Sequence, residues 1–249
     1  MTHPYGWPNA AVDGPPVWHD AGFAQMIRLN PALTAMREHL ERPGPWVFAG
    51  QREIEAIESS YRARGYGLLL YALARVLKPV VAVEIGIFQG FSLLNVAAAL
   101  RDNGTGHITG YDLFEAYPYR HADRAQVQRN IAAAGLQPWA SIAAADAFDV
   151  DEQWDAVDYL HVDVSNSGDT YRRMFGQWSA KVRQVMVFEG GARERDNVAW
   201  MLEYGKTPIA PAVRDLTRDN PDWSFTVLEP FPSMTIAVNR AGLARLPHA

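Results

Sequence analysis

From residue 80 onward, short β-branched apolar runs alternate with longer stretches of helical periodicity. The apolar runs Val80–Ile85, His107–Leu113, Ala140–Ala145, Tyr159–Val164 and Gln184–Phe188 predict five strands, and the first reads as covered on both faces. Between and after them, Gly90–Arg101, Arg124–Ala134, Thr170–Trp178 and Arg193–Tyr204 predict helices. Asn103-Gly104 breaks the first of these and Gly135 closes the second. The end of the chain differs: Phe225–Leu228 and Met234–Val238 predict two strands with no room for a helix between them.

Strand–helix alternation implies a parallel sheet with right-handed crossovers, and a short final connection places one antiparallel strand at its end. The fold class is therefore α/β: a Rossmann-like, seven-stranded, mostly parallel sheet with an antiparallel final strand and helices on both faces. Upstream, Ala32–Glu41, Gln51–Ala63 and Gly67–Leu77 have helical periodicity, while residues 1–30 are rich in Pro, Gly and aromatics and read as an irregular arm. The expected division is residues 1–65, an N-terminal helical and aromatic cap, and residues 66–249, the ligand-binding domain.

Composition narrows the chemistry. The 249 residues contain no cysteine, which excludes zinc ribbons, Fe–S clusters and thiol nucleophiles. A net charge of −5 gives no general attraction to nucleic acid or anionic membrane. The N-terminus lacks the basic start and apolar run of a signal peptide. The apolar stretch from Tyr66 to Phe91 is interrupted by Arg75, Lys78, Pro79 and Glu84, so it is no membrane span. A cytoplasmic protein is expected, with no nucleic-acid or membrane partner; self-association into a homo-oligomer is compatible with the sequence.

The candidate site lies at the carboxyl ends of the strands, where open α/β sheets bind ligands. Glu84-Ile-Gly-Ile-Phe-Gln-Gly-Phe-Ser92 follows the first strand. Gly86 allows a tight turn and Gly90 a close approach at the helix start. The spacing is G-x-x-x-G with Leu93 beyond it, not the denser pattern of a pyrophosphate site. Glu84 would also repel a diphosphate, whereas a cation with a free amino group suits this loop. Asp112 ends the second strand, 28 residues after Glu84, where a carboxylate can accept both hydroxyls of a ribose. Asp146 follows the third strand, at a usual place for contact with an adenine amino group.

The segments EIGIFQGFS, GYDLF, AADA and LHVDVSNSGD, in this order and on these elements, resemble class I S-adenosylmethionine-dependent methyltransferases. Leu160–Tyr171, Phe188-Glu-Gly-Gly191, Glu194–Met201 and Pro232-Ser-Met-Thr235 are similar to a bacterial subgroup acting on oxygen or nitrogen of small molecules. The resemblance covers about Gly67 to Val238. It implies S-adenosylmethionine as cofactor, held by Glu84, Gly86, Phe88, Gly90, Ser92, Asp112, Leu113, Asp146, Ala147 and Asp163. It implies a small-molecule acceptor in secondary or saccharide metabolism.

Methyl transfer asks a protein mainly for alignment and for removal of one proton. Asp163, at the end of the fourth strand, can serve as base or orienter. His121, in the loop after the second strand, and Glu189, at the end of the fifth, are the other catalytic candidates. Asn166, Glu189 and Arg195 are candidate substrate contacts, although charge pairing at a helix start explains Arg195 as well. His161, two residues before Asp163 and deeper in the sheet, reads as a buried structural histidine. The metal-dependent branch of the family would place a third ligand where Gly190 stands, so no metal is expected. A non-catalytic relative that binds the cofactor is the alternative reading. An NAD(P)-dependent oxidoreductase is a weaker one, because no tyrosine has a lysine four residues later.

Overall fold

The computed structural model describes residues 14–118, 123–165, 167–197 and 199–245. His121 and Asn166 lie outside the described residues, as does the side chain of Arg195. Strands β1 (Val81–Ile85), β2 (His107–Asp112), β3 (Ala140–Ala144), β4 (Val157–Val162), β5 (Val182–Glu189), β6 (Trp223–Leu228) and β7 (Met234–Asn239) form one sheet. Its order is β3-β2-β1-β4-β5-β7-β6, with β7 antiparallel to both neighbours and the other pairs parallel. All seven expected strands are present, and the inserted antiparallel strand is β7.

Ten α-helices occur among the described residues: α1 (Ala21–Leu29), α2 (Met36–Leu40), α3 (Gln51–Glu55), α4 (Tyr66–Leu77), α5 (Phe91–Asn103), α6 (Arg124–Ala133), α7 (Gly168–Trp178), α8 (Ala199–Glu203), α9 (Ile209–Asp219) and α10 (Arg240–Leu243). Alternate strand residues divide between two cores, as the period of two requires. Ala82, Tyr159, Val185 and Val187 pack with α1, α2, α4, α5 and α6. Val83, Leu160, Val162 and Met186 pack with α7 and α9.

Several helical expectations differ from the structure: of the helix expected over 32–41, only Met36–Leu40 is α-helical, after a 3₁₀ turn at Pro31–Leu33. Residues 21–29, read as irregular, form α1, started by Asp20, whose carboxylate accepts a hydrogen bond from Gly22 N–H at 2.8 Å. The helix expected over 51–63 stops at Glu55; a 3₁₀ segment, Ser60–Gly65, follows and is kinked at Ala63 and Arg64. The helix expected over 193–204 is split into a 3₁₀ turn, Arg195–Asn197, and the short α8. Asp196 does not start its own helix. It caps α9, accepting from Ile209 N–H at 2.6 Å and Ala210 N–H at 2.8 Å. Helix α9 is the crossover absent from the sequence reading. Pro211 interrupts its pattern, yet a proline in the first turn loses only an N–H that has no helical partner.

The N-terminal segment is built into the sheet's own core. Val17, Phe23, Met26, Leu33 and Met36 are buried in one cluster with Leu228, Met234, Ile236 and Val238. The buried Ser224 hydroxyl on β6 donates to Asn30 Oδ1 at 2.9 Å, tying the end of α1 to the far edge of the sheet. Ser224→Ala leaves that oxygen unpaired and should cost about 1–3 kcal/mol. Thermal unfolding should register it as a fall of about 2–4 °C per kcal/mol. An unchanged melting curve would mean that water replaces the hydroxyl.

Candidate active site

A cavity of about 510 Å³ opens at the carboxyl ends of β1 to β5. Sheet order divides its wall. Strands β3, β2 and β1 contribute Asp146–Phe148, Asp112, Leu113 and the loop Gly86–Gln89 on one side. Strands β4 and β5 contribute Asp163 and Glu189 on the other, together with Glu58–Tyr61 from the N-terminal segment and Phe231.

The β1 loop is shaped by its contacts. Gly86 has φ of +81°, and a Cβ there would sit 2.2 Å from the Asp163 carbonyl oxygen. Glycine is required on both counts, conformation and space. Gly86 N–H donates to Tyr111 O, and Asp163 N–H donates to Ile85 O, each at 2.8 Å, which locks the three strand ends together. Asp112 Oδ2 then accepts from Ile87 N–H at 3.0 Å and Phe88 N–H at 3.1 Å, while its Oδ1 accepts from Phe114 N–H at 3.0 Å. The carboxylate holds the loop open toward the cavity and retains lone pairs for further donors.

Among the expected cofactor residues, Gly86, Phe88, Ser92, Asp112, Leu113, Asp146, Ala147 and Asp163 line the cavity. Two do not. Gly90 has φ of +87° and turns the chain into α5 behind the wall, so its freedom serves the turn rather than a ligand. Glu84 is fully buried beneath the loop, where its carboxylate accepts from the Ser92 hydroxyl, and it is not part of the cavity wall. Glu189 lines the cavity, as expected for a substrate or catalytic contact. Among the described residues, no three metal-ligating side chains converge.

The strand register assembles the chemistry on one sheet face. Glu84 on β1 stands beside His161 on β4, and Val162 beside Phe188 on β5, so the next residues, Asp163 and Glu189, emerge side by side. Burial pushes the Asp163 carboxyl well above the usual carboxylate range; the adjacent Glu189 charge and hydrogen bond push further, and Glu84 adds to them. A hydrogen bond from Tyr61 opposes the shift. A carboxyl held protonated beside a second one can give its proton up and take one back.

Sequence reasoning overlooked Tyr61, Glu58, Tyr111, Phe148 and Phe231, which also line the cavity. Tyr111 and Phe148 directly neighbour residues that were chosen, so strand-end position could have found them. Tyr61 carried no local signal, since it reaches the site from a segment remote in the chain.

Residues 83–188 match the family model described as a methyltransferase domain. They span β1 to β5, the part of the fold that builds most of the cavity. The chain has the strand order of the Rossmann-like methyltransferase fold. Its fold is similar to that of a putative O-methyltransferase from Klebsiella pneumoniae, at TM-score 0.59 and 14% identity, over 88% of this chain and 99% of that one. It is also similar to the O-methyltransferase TomG from Streptomyces achromogenes, involved in tomaymycin synthesis and solved with S-adenosylmethionine. There the TM-score is 0.58 and the identity 17%, over 85% and 97% of the two chains. A third is the Bacillus cereus O-methyltransferase solved with S-adenosylhomocysteine, at TM-score 0.58 and 14% identity, over 90% and 99%. No curated protein sequence matches the chain. Among the described residues, no helix is long and apolar enough to cross a membrane.

Proposed function

We propose that the protein transfers the methyl group of S-adenosylmethionine to an oxygen or nitrogen of a small molecule held between Asp163, Glu189 and the Glu58–Tyr61 segment. The observation that carries this reading is the two-sided cavity. Glycine-turned and carboxylate-bearing strand ends line one side, and the adjacent acids Asp163 and Glu189 line the other.

On the cofactor side, the Gly86–Gln89 backbone takes the methionine part, Asp112 the ribose hydroxyls and Asp146 the adenine end. The sulfonium brings its own activated methyl group, so the chain's residues align the reactants and manage one proton. Five carboxyl groups line the wall, from Glu58, Asp112, Asp146, Asp163 and Glu189, and this favours a cationic sulfonium over a diphosphate cofactor. The Asp163–Glu189 pair orients the acceptor and takes its proton. The Glu58–Tyr61 segment closes the acceptor side, and acceptor choice belongs to it and to Phe231.

Calorimetry tests the cofactor reading directly. S-adenosylmethionine and S-adenosylhomocysteine should bind in the micromolar range, about −7 to −9 kcal/mol. NAD(P)H should give no heat. Tight NAD(P)H binding with silence toward S-adenosylmethionine would overturn the assignment. Cofactor binding without methylated product across a panel of alcohols, phenols and amines would favour a non-catalytic relative.

A further inference from the structure

The methyl-transfer reading leaves two wholly buried ionisable groups unused. Glu84 and His161 are both fully buried, and His161 Nδ1 faces Glu84 Oε2 at 3.4 Å. At that distance they are an ion-pair contact, and neither atom has a hydrogen-bond partner among the described residues. An isolated buried carboxylate or imidazolium is costly, and each of the two offsets the cost of the other. On the opposite side of the ring, His161 Nε2 lies 3.4 Å from the Tyr61 hydroxyl, across 100 residues of sequence. That hydroxyl also hydrogen-bonds the Asp163 carboxyl. Glu84, His161, Tyr61, Asp163 and Glu189 thus form one file of polar groups from the buried interior to the cavity.

We propose that Tyr61 carries a proton between Asp163 and the buried His161–Glu84 pair. In this way Asp163 passes its own proton to His161 and is left ionised to take the proton of the methyl acceptor. The inference rests on the methyl-transfer reading above and assigns two further residues to it.

Glu84 fixes the tautomer: with Nδ1–H facing its carboxylate, His161 Nε2 presents a lone pair toward Tyr61. Before transfer Asp163 holds a proton. The Asp163 O–H bond breaks as that proton moves to the Tyr61 oxygen, and the Tyr61 O–H proton moves to His161 Nε2. Asp163 is then ionised, Tyr61 is neutral, and His161 is an imidazolium beside the Glu84 carboxylate. The ionised Asp163 accepts the acceptor's O–H or N–H proton. After product leaves, Asp163 gives that proton to the open cavity and the His161 proton returns to it through Tyr61.

Burial pushes the Tyr61 hydroxyl well above its usual range, and Asp163, Glu189, Glu84 and Tyr171, which face it, push the same way. It therefore stays a neutral hydroxyl at working pH, able to give and take a proton in one motion. Both 3.4 Å contacts are long, and catalytic contacts shorten when a site closes on its ligands.

The test needs no identified acceptor. Histidine-labelled protein saturated with S-adenosylhomocysteine is titrated by nuclear magnetic resonance, with and without Asp163→Asn, in the Tyr61 and Tyr61→Phe backgrounds. With Tyr61 present, Asp163→Asn should move the His161 midpoint by about half a pH unit or more. In Tyr61→Phe that displacement should largely vanish. An equal displacement in both backgrounds would mean that Asp163 acts through space, and the relay would be wrong. If Tyr61→Phe does not fold, the wild type supplies the second reading. The Tyr61 hydroxyl proton should appear as a slowly exchanging resonance close to the His161 ring and should shift in Asp163→Asn. Its absence counts against the relay. Failure of the parent protein to bind S-adenosylhomocysteine would instead defeat the methyl-transfer reading.

Discussion

Replacing Asp163 with alanine should lower kcat by roughly 100-fold or more, with S-adenosylmethionine affinity changed much less. The residue lies at the β4 end beside Glu189, away from the β2 and β3 ends proposed to hold the adenosine. Asparagine should recover part of the rate if the side chain orients the acceptor and little if it removes the proton. The measurement is steady-state turnover with an acceptor found in the substrate panel, alongside calorimetry of the cofactor. A nearly silent Asp163→Ala would move the chemistry to His121 or Glu189.

The same substitution carries a stability signature of opposite sign. Burial and the Glu189 charge raise the Asp163 carboxyl above its unfolded value, so the native state holds a proton that the unfolded chain releases. Stability is then greatest below the ordinary carboxylate range and falls as pH rises from there through the raised value. Asp163→Asn removes that penalty. At neutral pH it should melt no lower than the parent and about 2 °C or more higher, which is on the order of 1 kcal/mol for a chain of this size. Loss of activity with gain of stability is the mark of a group held in place for function. A melting point lowered by several degrees would show that Asp163 is chiefly structural.

Asp112→Ala should weaken S-adenosylmethionine binding by about 10- to 100-fold, the loss of one or two charge-assisted hydrogen bonds to the ribose. The structure adds a second effect. Ile87 and Phe88 N–H lose their shared acceptor and Phe114 N–H loses its own, so the β1 loop should loosen and its amides exchange faster with solvent. Asp112→Asn keeps one acceptor oxygen and turns an N–H₂ group toward the backbone or the ribose, so it should bind at an intermediate level. Unchanged calorimetric affinity in Asp112→Ala would confine this carboxylate to shaping the loop.

Much of this arrangement was legible before any coordinates. The apolar runs marked all seven strands, the short final connection marked β7 as the antiparallel one, and the strand ends put Gly86, Asp112, Asp146, Asp163 and Glu189 at one edge of the sheet. Those are local properties. A period of two identifies a strand and its faces, and a glycine beside a strand end identifies a turn, whatever the rest of the chain does.

Other features were decided only by the tertiary structure. Glu84 ends a strand as a ligand residue would, but which way its side chain points follows from the face on which β1 packs, and that face is the interior. Asp163 and Glu189 stand side by side because β4 and β5 align Val162 with Phe188, and register is a property of two strands rather than of either sequence alone. Tyr61 meets His161 across 100 residues of chain because residues 17–63 pack onto the sheet core before α4 begins. The sequence by itself determined the strands, their order of appearance and the residues at their ends. Folding decided which of those residues touch, because side-chain neighbours across a sheet are set by register and by packing of distant segments, which leave no period in the sequence.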